Sequence, residues 1–168
     1  TQEAILGAVT PRTKAVVVVH FAGYPVDMAP LMQSLEALGI PVVEDTAHAF
    51  PTRVASAGGR YAGTFGRAGA YSFYATKTIT TGEGGAVVTR DESLCERMRL
   101  YRSHGVKSRR YWHDVAGHNF RLTNVQAAIG CAQFECIGQI IAERARVHRS
   151  YKAALQALTG IRLQTMTD

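Results

Sequence analysis

Four consecutive valines, Val16–Val19, constrain this chain most. Branching at Cβ crowds a helical turn and suits a pleated strand. An unbroken apolar run, as opposed to an alternating one, is the pattern of a parallel strand buried on both faces. The strand is expected over residues 13–20. Met28, Leu31, Leu35 and Leu38 follow at helical spacing, with Pro30 suited to the first turn, Gly39 to the C-terminal cap and Pro41 to the stop. Pro41 to Asp45 reads as a second short strand. Residues 13–45 therefore form a strand–helix–strand unit, expected to be right-handed with parallel strands.

The rest of the chain extends that pattern. Residues 58–69 are Gly-rich and loop-like, Ala70 to Ala75 is a third strand, and Gly85 to Thr89 a fourth. Asp91 is placed to cap an amphipathic helix running to Ser103, and 104–120 is a polar loop with aromatics. Thr123 caps a helical stretch in which Val125, Ile129, Ala132, Cys136, Ile140, His148, Tyr151, Leu155 and Leu158 recur near every 3.5 residues. About 35 residues is long for a globular helix, so a break is expected near Gly138. The fold class is α/β, with a mostly parallel sheet flanked by helices.

Composition narrows the function classes. The 168 residues suffice for one domain with a substantial core, and 46% hydrophobic with 19% charged residues is ordinary for a globular protein. Cys95, Cys131 and Cys136 form no CxxC pair and no metal-ligand spacing, which fits free thiols in a reducing compartment. No signal peptide or transmembrane-length run is visible, so a cytoplasmic protein without a membrane partner is expected. The net charge is +6, but the basic residues, Arg144 among them, fall largely at helical spacing in the second half. That is the pattern of solvated helix faces. No basic–aromatic interleaving points to nucleic acid.

Chemistry concentrates at strand ends, where open α/β sheets bind ligands. Asp45 ends the second strand, His48 lies three residues on, Ser72 is in the third strand, and Lys77 follows it. A desolvated lysine favours its neutral amine, which can attack a carbonyl to give a Schiff base. A carboxylate such as Asp45 can keep a pyridinium nitrogen protonated and so strengthen an electron sink. His48 can bond the phenolic oxygen of such a ring or stack on it, and Ser72 can hold a phosphate. Each residue also has an ordinary use: a snorkelling lysine, a capping Asp45, a core histidine, a strand hydroxyl. Their order along successive strand ends favours the chemical use.

Longer motifs sharpen this. Glu44-Asp45-Thr46-Ala47-His48-Ala49, Tyr71 to Lys77, Thr80-Thr81-Gly82-Glu83-Gly84-Gly85 and Gly117 to Gly130 resemble the DegT/DnrJ/EryC1/StrS sugar aminotransferases, fold type I enzymes that use pyridoxal 5′-phosphate. The resemblance implies that this is the central part of the large cofactor-binding domain. Residues 1–123 would belong to that domain, and 124–168 would be a helical connector toward a C-terminal small domain outside this chain. It implies Lys77 as the Schiff-base residue, Asp45 on the pyridinium nitrogen, His48 near the phenolic oxygen, and Ser72 on the phosphate. Asn119 would reach the phosphate of a neighbouring subunit, in a homodimer with shared active sites, and Arg121 would support that loop. The implied reaction moves an amino group from glutamate or glutamine to a keto-sugar, nucleotide-linked, or to a keto-cyclitol. The alternative is a non-catalytic, cofactor-binding regulator of the same family. His at the lysine position marks a dehydratase branch, and Lys77 argues against it. Lys107, Arg109 and Arg110 are placed either to meet a diphosphate or to solvate a loop. Because a family member is more than twice this length, the chain alone would hold only part of the site.

Overall fold

The computed structural model describes residues 1–163. Four strands form the main sheet: β1 (Val16–Val19), β2 (Val42–Asp45), β5 (Ala68–Ser72) and β6 (Gly85–Val88), in the order β1-β2-β5-β6. The first three are parallel, and β6 returns antiparallel to β5. The strand–helix–strand unit is as expected, with α2 (Met28–Ala37) joining β1 to β2. Leu38 ends α2, Gly39 turns with φ +68°, and Ile40 N–H returns to Leu35 C=O at 2.9 Å. That is the cap that a C-terminal glycine permits.

The main core is Val18, Met28, Leu31, Leu35 and Val42, where α2 covers one face of β1 and β2. Ile5 and Leu6 of a short N-terminal helix, α1 (Gln2–Gly7), and Val9 just beyond it close the core; α1 carries no strong sequence signal. A second small cluster gathers Ala49, Val54 and Ala62 beneath a hairpin of β3 (Arg53–Val54) and β4 (Arg60–Tyr61). The sequence pattern gave only a loop there, since two-residue strands are too short to show alternation.

The valine run departs from its expected burial. Val18 is 3% exposed, but Val17 and Val19 are 64% and 47% exposed. β1 is an edge strand of the described sheet, and α2 covers one of its faces. Within the described residues the other face has no covering layer comparable to α2.

Two capping expectations hold. Asp91 accepts from Leu94 N–H at the start of α3 (Glu92–Arg102). Thr123 and Gln126 make a reciprocal capping box at α4 (Asn124–Glu135). The long helical stretch breaks between α4 and α5 (Ile137–Leu155), with a 66° bend just before Gly138. Leu158 lies beyond α5, and the end of the expected connector, 164–168, lies outside the described residues. No single helix among the described residues is long and apolar enough to cross a membrane.

Candidate active site

The carboxyl edge of the sheet collects every candidate strand-end residue. Parallel pairing sets Val19 beside Asp45 and Asp45 beside Ala70, so the ends of β1, β2 and β5 open on one side. Because β6 runs the other way, its first residue, Gly85, pairs with Ser72, and the Thr80–Gly84 turn joins the same edge.

That turn is tightly bonded. Phe73 C=O accepts from Thr81 N–H at 2.9 Å and from the Thr80 hydroxyl at 3.1 Å, while Phe73 N–H donates to Gly84 C=O at 2.8 Å. Gly84 has φ +149°, and a Cβ there would press on Thr81 Oγ1 and Leu122. Only glycine fits that backbone and that space. Lys77 stands at the head of this turn, its N–H donating to Tyr74 C=O at 3.0 Å. Its side chain is half-buried and has no ion-pair or hydrogen-bond partner among the described residues.

Lys77 and His48 line one cavity of about 270 Å³. Thr76 and Thr78 flank the lysine, Ala22, Ala47 and Phe50 form apolar walls, and Arg144 enters from α5. His48 packs edge-on against Phe21, with ring centroids 5.6 Å apart. Its Nδ1 accepts from Ala22 N–H at 3.3 Å. The ring proton therefore sits on Nε2, which makes His48 a hydrogen-bond donor there.

The other candidates are near in the fold but outside that cavity's walls. Asp45 is half-buried, and its Oδ1 accepts from Ala47 N–H at 3.0 Å. Ser72 Oγ accepts from Tyr74 N–H at 3.3 Å, which leaves the hydroxyl proton free to donate. Asn119 is exposed in the 104–120 loop, bridged to Ser103, and its Oδ1 accepts from Arg121 Nε at 3.4 Å. Arg121 thus supports the loop of Asn119, as expected. Lys107, Arg109 and Arg110 are exposed in the same loop, with Arg109 over Trp112 and Arg110 over Tyr111.

Sequence reasoning passed over the most heavily bonded group at this edge. Glu44, one residue before Asp45 and on the opposite sheet face, is fully buried. Its Oε2 accepts from His20 Nε2 at 3.0 Å and Gly63 N–H at 2.7 Å; its Oε1 accepts from Phe65 and Gly66 N–H, both at 2.6 Å. Burial pushes the Glu44 carboxyl up, but the His20 bond and the three backbone donors outweigh it and hold the pKa below its ordinary value. His20 Nδ1 accepts from Val26 N–H at 3.0 Å, so His20 is pinned as a donor toward Glu44. This pair ties β2 both to the 63–66 loop and to the turn that presents Ala22 to His48. A Glu in an otherwise apolar short strand was the available signal.

The residues present suit a pyridoxal phosphate. Lys77 offers an unpaired amine inside a cavity, His48 a donor beside it, and Ser72 a free hydroxyl proton at the same sheet edge. No cluster of His, Cys, Asp and Glu among the described residues suits a metal ion.

The profile of the DegT/DnrJ/EryC1/StrS aminotransferase family matches residues 1–168. The chain is 40% identical over 154 residues to GDP-perosamine synthase of Escherichia coli O157:H7, covering 91% of this chain and 42% of that protein. It is 42% identical over 151 residues to GDP-perosamine synthase of Caulobacter vibrioides, covering 89% and 40%. Among solved structures, DesV of S. venezuelae superposes with a TM-score of 0.90 at 35% identity, covering 100% of this chain and 44% of that one. PseC of Helicobacter pylori, an aminotransferase of pseudoaminic acid biosynthesis, superposes with a TM-score of 0.87 at 32% identity, covering 95% and 43%. The chain thus spans about two-fifths of the length of these relatives. On the profile match and these identities, it belongs to the DegT/DnrJ/EryC1/StrS aminotransferase family.

Proposed function

We propose that the protein carrying this chain transfers an amino group from glutamate or glutamine to a nucleotide-linked keto-sugar, with pyridoxal 5′-phosphate held as a Schiff base on Lys77. The observation that carries this reading is the unpaired, half-buried Lys77 amine sharing a cavity with the His48 donor at the carboxyl edge of the sheet. The relatives named as perosamine synthases support the sugar class of the acceptor.

When bound, the cofactor supplies an electron sink for charge developing at the donor's α-carbon. The chain's residues do the rest. Lys77 Nζ would remove the donor's α-proton and later return it. Asp45 would keep the ring nitrogen protonated through its carboxylate. His48 Nε2–H would donate a hydrogen bond to the phenolic oxygen. The Ser72 hydroxyl would donate a hydrogen bond to the phosphate. Asn119, exposed on its loop, reaches the phosphate of a second subunit in a homodimer. Residues 1–123 serve as part of the cofactor domain and 124–168 as its helical connector.

The test is the visible absorption of the complete protein with pyridoxal phosphate, before and after L-glutamate. The wild type should show the bound-cofactor band and lose it on adding glutamate, and Lys77→Ala should lose both the band and amino transfer. Persistence of either in Lys77→Ala removes Lys77 from its assigned role. A band that ignores both glutamate and glutamine identifies a non-catalytic binding protein instead.

A further inference from the structure

Arg144 lines the Lys77 cavity although it lies 67 residues further along the chain. A chain of contacts puts it there. Gln133 in α4 makes two bonds to the backbone of Thr80: Nε2 donates to Thr80 C=O at 2.6 Å, and Oε1 accepts from Thr80 N–H at 3.1 Å. Phe134 packs near Phe50, itself a wall of the cavity, with centroids 6.4 Å apart. The 66° bend after α4 then turns α5 back across the site, and Arg144 follows two helical turns later.

The charge around it is one-sided. Lys77 and Arg144 line the cavity together with His48, and among the described residues no carboxylate is on its walls. The acid next to Arg144 in sequence, Glu143, is taken by Arg146 at 2.8 Å. Arg144 has no ion pair or hydrogen bond among the described residues. Arg144 is exposed to solvent, and what marks it is that it lines the same cavity as Lys77, where its guanidinium is a fork suited to a carboxylate.

We propose that Arg144 binds a carboxylate of the amino donor and so orients the donor's amine and α-carbon toward Lys77. This rests on the Lys77 reading above. The phosphate of the cofactor is assigned to Ser72 and Asn119, which do not line this cavity; of the remaining anions, a donor carboxylate must lie beside Lys77 for its α-carbon to react there, and the diphosphate of the nucleotide sugar is the competing occupant that the test separates. The same contact would hold the 2-oxo acid that leaves.

Arg144→Gln and Arg144→Lys in the complete protein test this with two readouts. In the first, the cofactor band is titrated with L-glutamate. Arg144→Gln should raise the concentration for half-conversion about 10- to 100-fold, the worth of a lost charge-assisted hydrogen bond. The saturating rate should fall less, and Arg144→Lys should recover part of the affinity. The second is calorimetric binding of glutarate, an unreactive dicarboxylate, which should weaken by a similar factor in Arg144→Gln. Unchanged glutarate binding in Arg144→Gln, no glutarate binding in the wild type, or a loss that falls on the KM of the nucleotide sugar overturns the proposal. A wild type without a cofactor band defeats the Lys77 reading alone, because glutarate binding still decides the role of Arg144.

Discussion

Replacing Glu44 by Gln removes one charge and almost no volume, and it should destabilise this domain severely. The carboxylate accepts four hydrogen bonds, two at each oxygen, and all four donors are N–H groups. An amide keeps one oxygen and sets an NH₂ against the other pair of donors. If the NH₂ faces Phe65 and Gly66, two backbone donors lose their acceptor. If it faces Gly63 and His20, His20 cannot relieve the clash by moving its proton, since Nδ1 already accepts from Val26 N–H. Two buried donors left unpaired cost about 2–6 kcal/mol. Domains of this kind are stable by only about 5–15 kcal/mol, so the loss is a large share. Urea denaturation of the complete protein reads the total. Amide hydrogen exchange at Gly63, Phe65, Gly66 and Val26 reads it locally, and protection there should collapse before that of Leu31 or Leu35. A loss under about 1 kcal/mol, or unchanged protection at those amides, would refute the reasoning.

Two further predictions follow from single sets of bonds, one at the opposite edge of the sheet and one beside the site. The Asp91 pKa is pulled down to about 2 by Leu94 N–H, the Ser93 hydroxyl and the Arg67 guanidinium, so its contribution is complete above the ordinary aspartate value of 3.8 and is lost as pH falls through about 2. NMR titration of the Asp91 carboxyl should place its midpoint well below 3.8, and Arg67→Gln should raise it; a midpoint at or above 3.8 contradicts the capping geometry. Gln133→Ala deletes both bonds to Thr80 and should cost about 1–3 kcal/mol. It should also alter the cofactor band, because the Lys77 turn loses its tie to α4, and a melting temperature equal to wild type would show that the pair carries no load.

Some of this molecule was legible one residue at a time. Pro30, Gly39 and Pro41 delimited α2 because their constraints are local: a fixed φ, a tolerated positive φ and a missing N–H. Asp91 and Thr123 marked helix starts because a short oxygen-bearing side chain reaches the next turn's free N–H groups. The β3–β4 hairpin stayed hidden because two residues per strand have no periodicity. The burial of the valine run was not legible from its residues, because burial depends on what covers a strand, and within the described residues α2 covers one face of β1. For the candidate site, Lys77, Asp45, His48 and Ser72 could be proposed from residue type at strand ends, while Glu44 and Arg144 could not. A glutamate inside a strand and an arginine on a charged helix have bland uses, and only their neighbours in space distinguish them.

By itself, then, the sequence determined the α/β alternation, the helix caps and the family, because these depend on local conformational energy and on motif spacing along the chain. Tertiary structure decided which of those residues meet. It put His48 and Lys77 into one cavity and left Asp45 and Ser72 outside its walls. It sealed Glu44 among four donors, and it carried Arg144 back to the lysine through the Gln133–Thr80 tie and the bend before α5. The physical reason is that a hydrogen bond or a cavity wall between residues 53 or 67 positions apart is set by the packing of whole elements, and no local pattern encodes that distance.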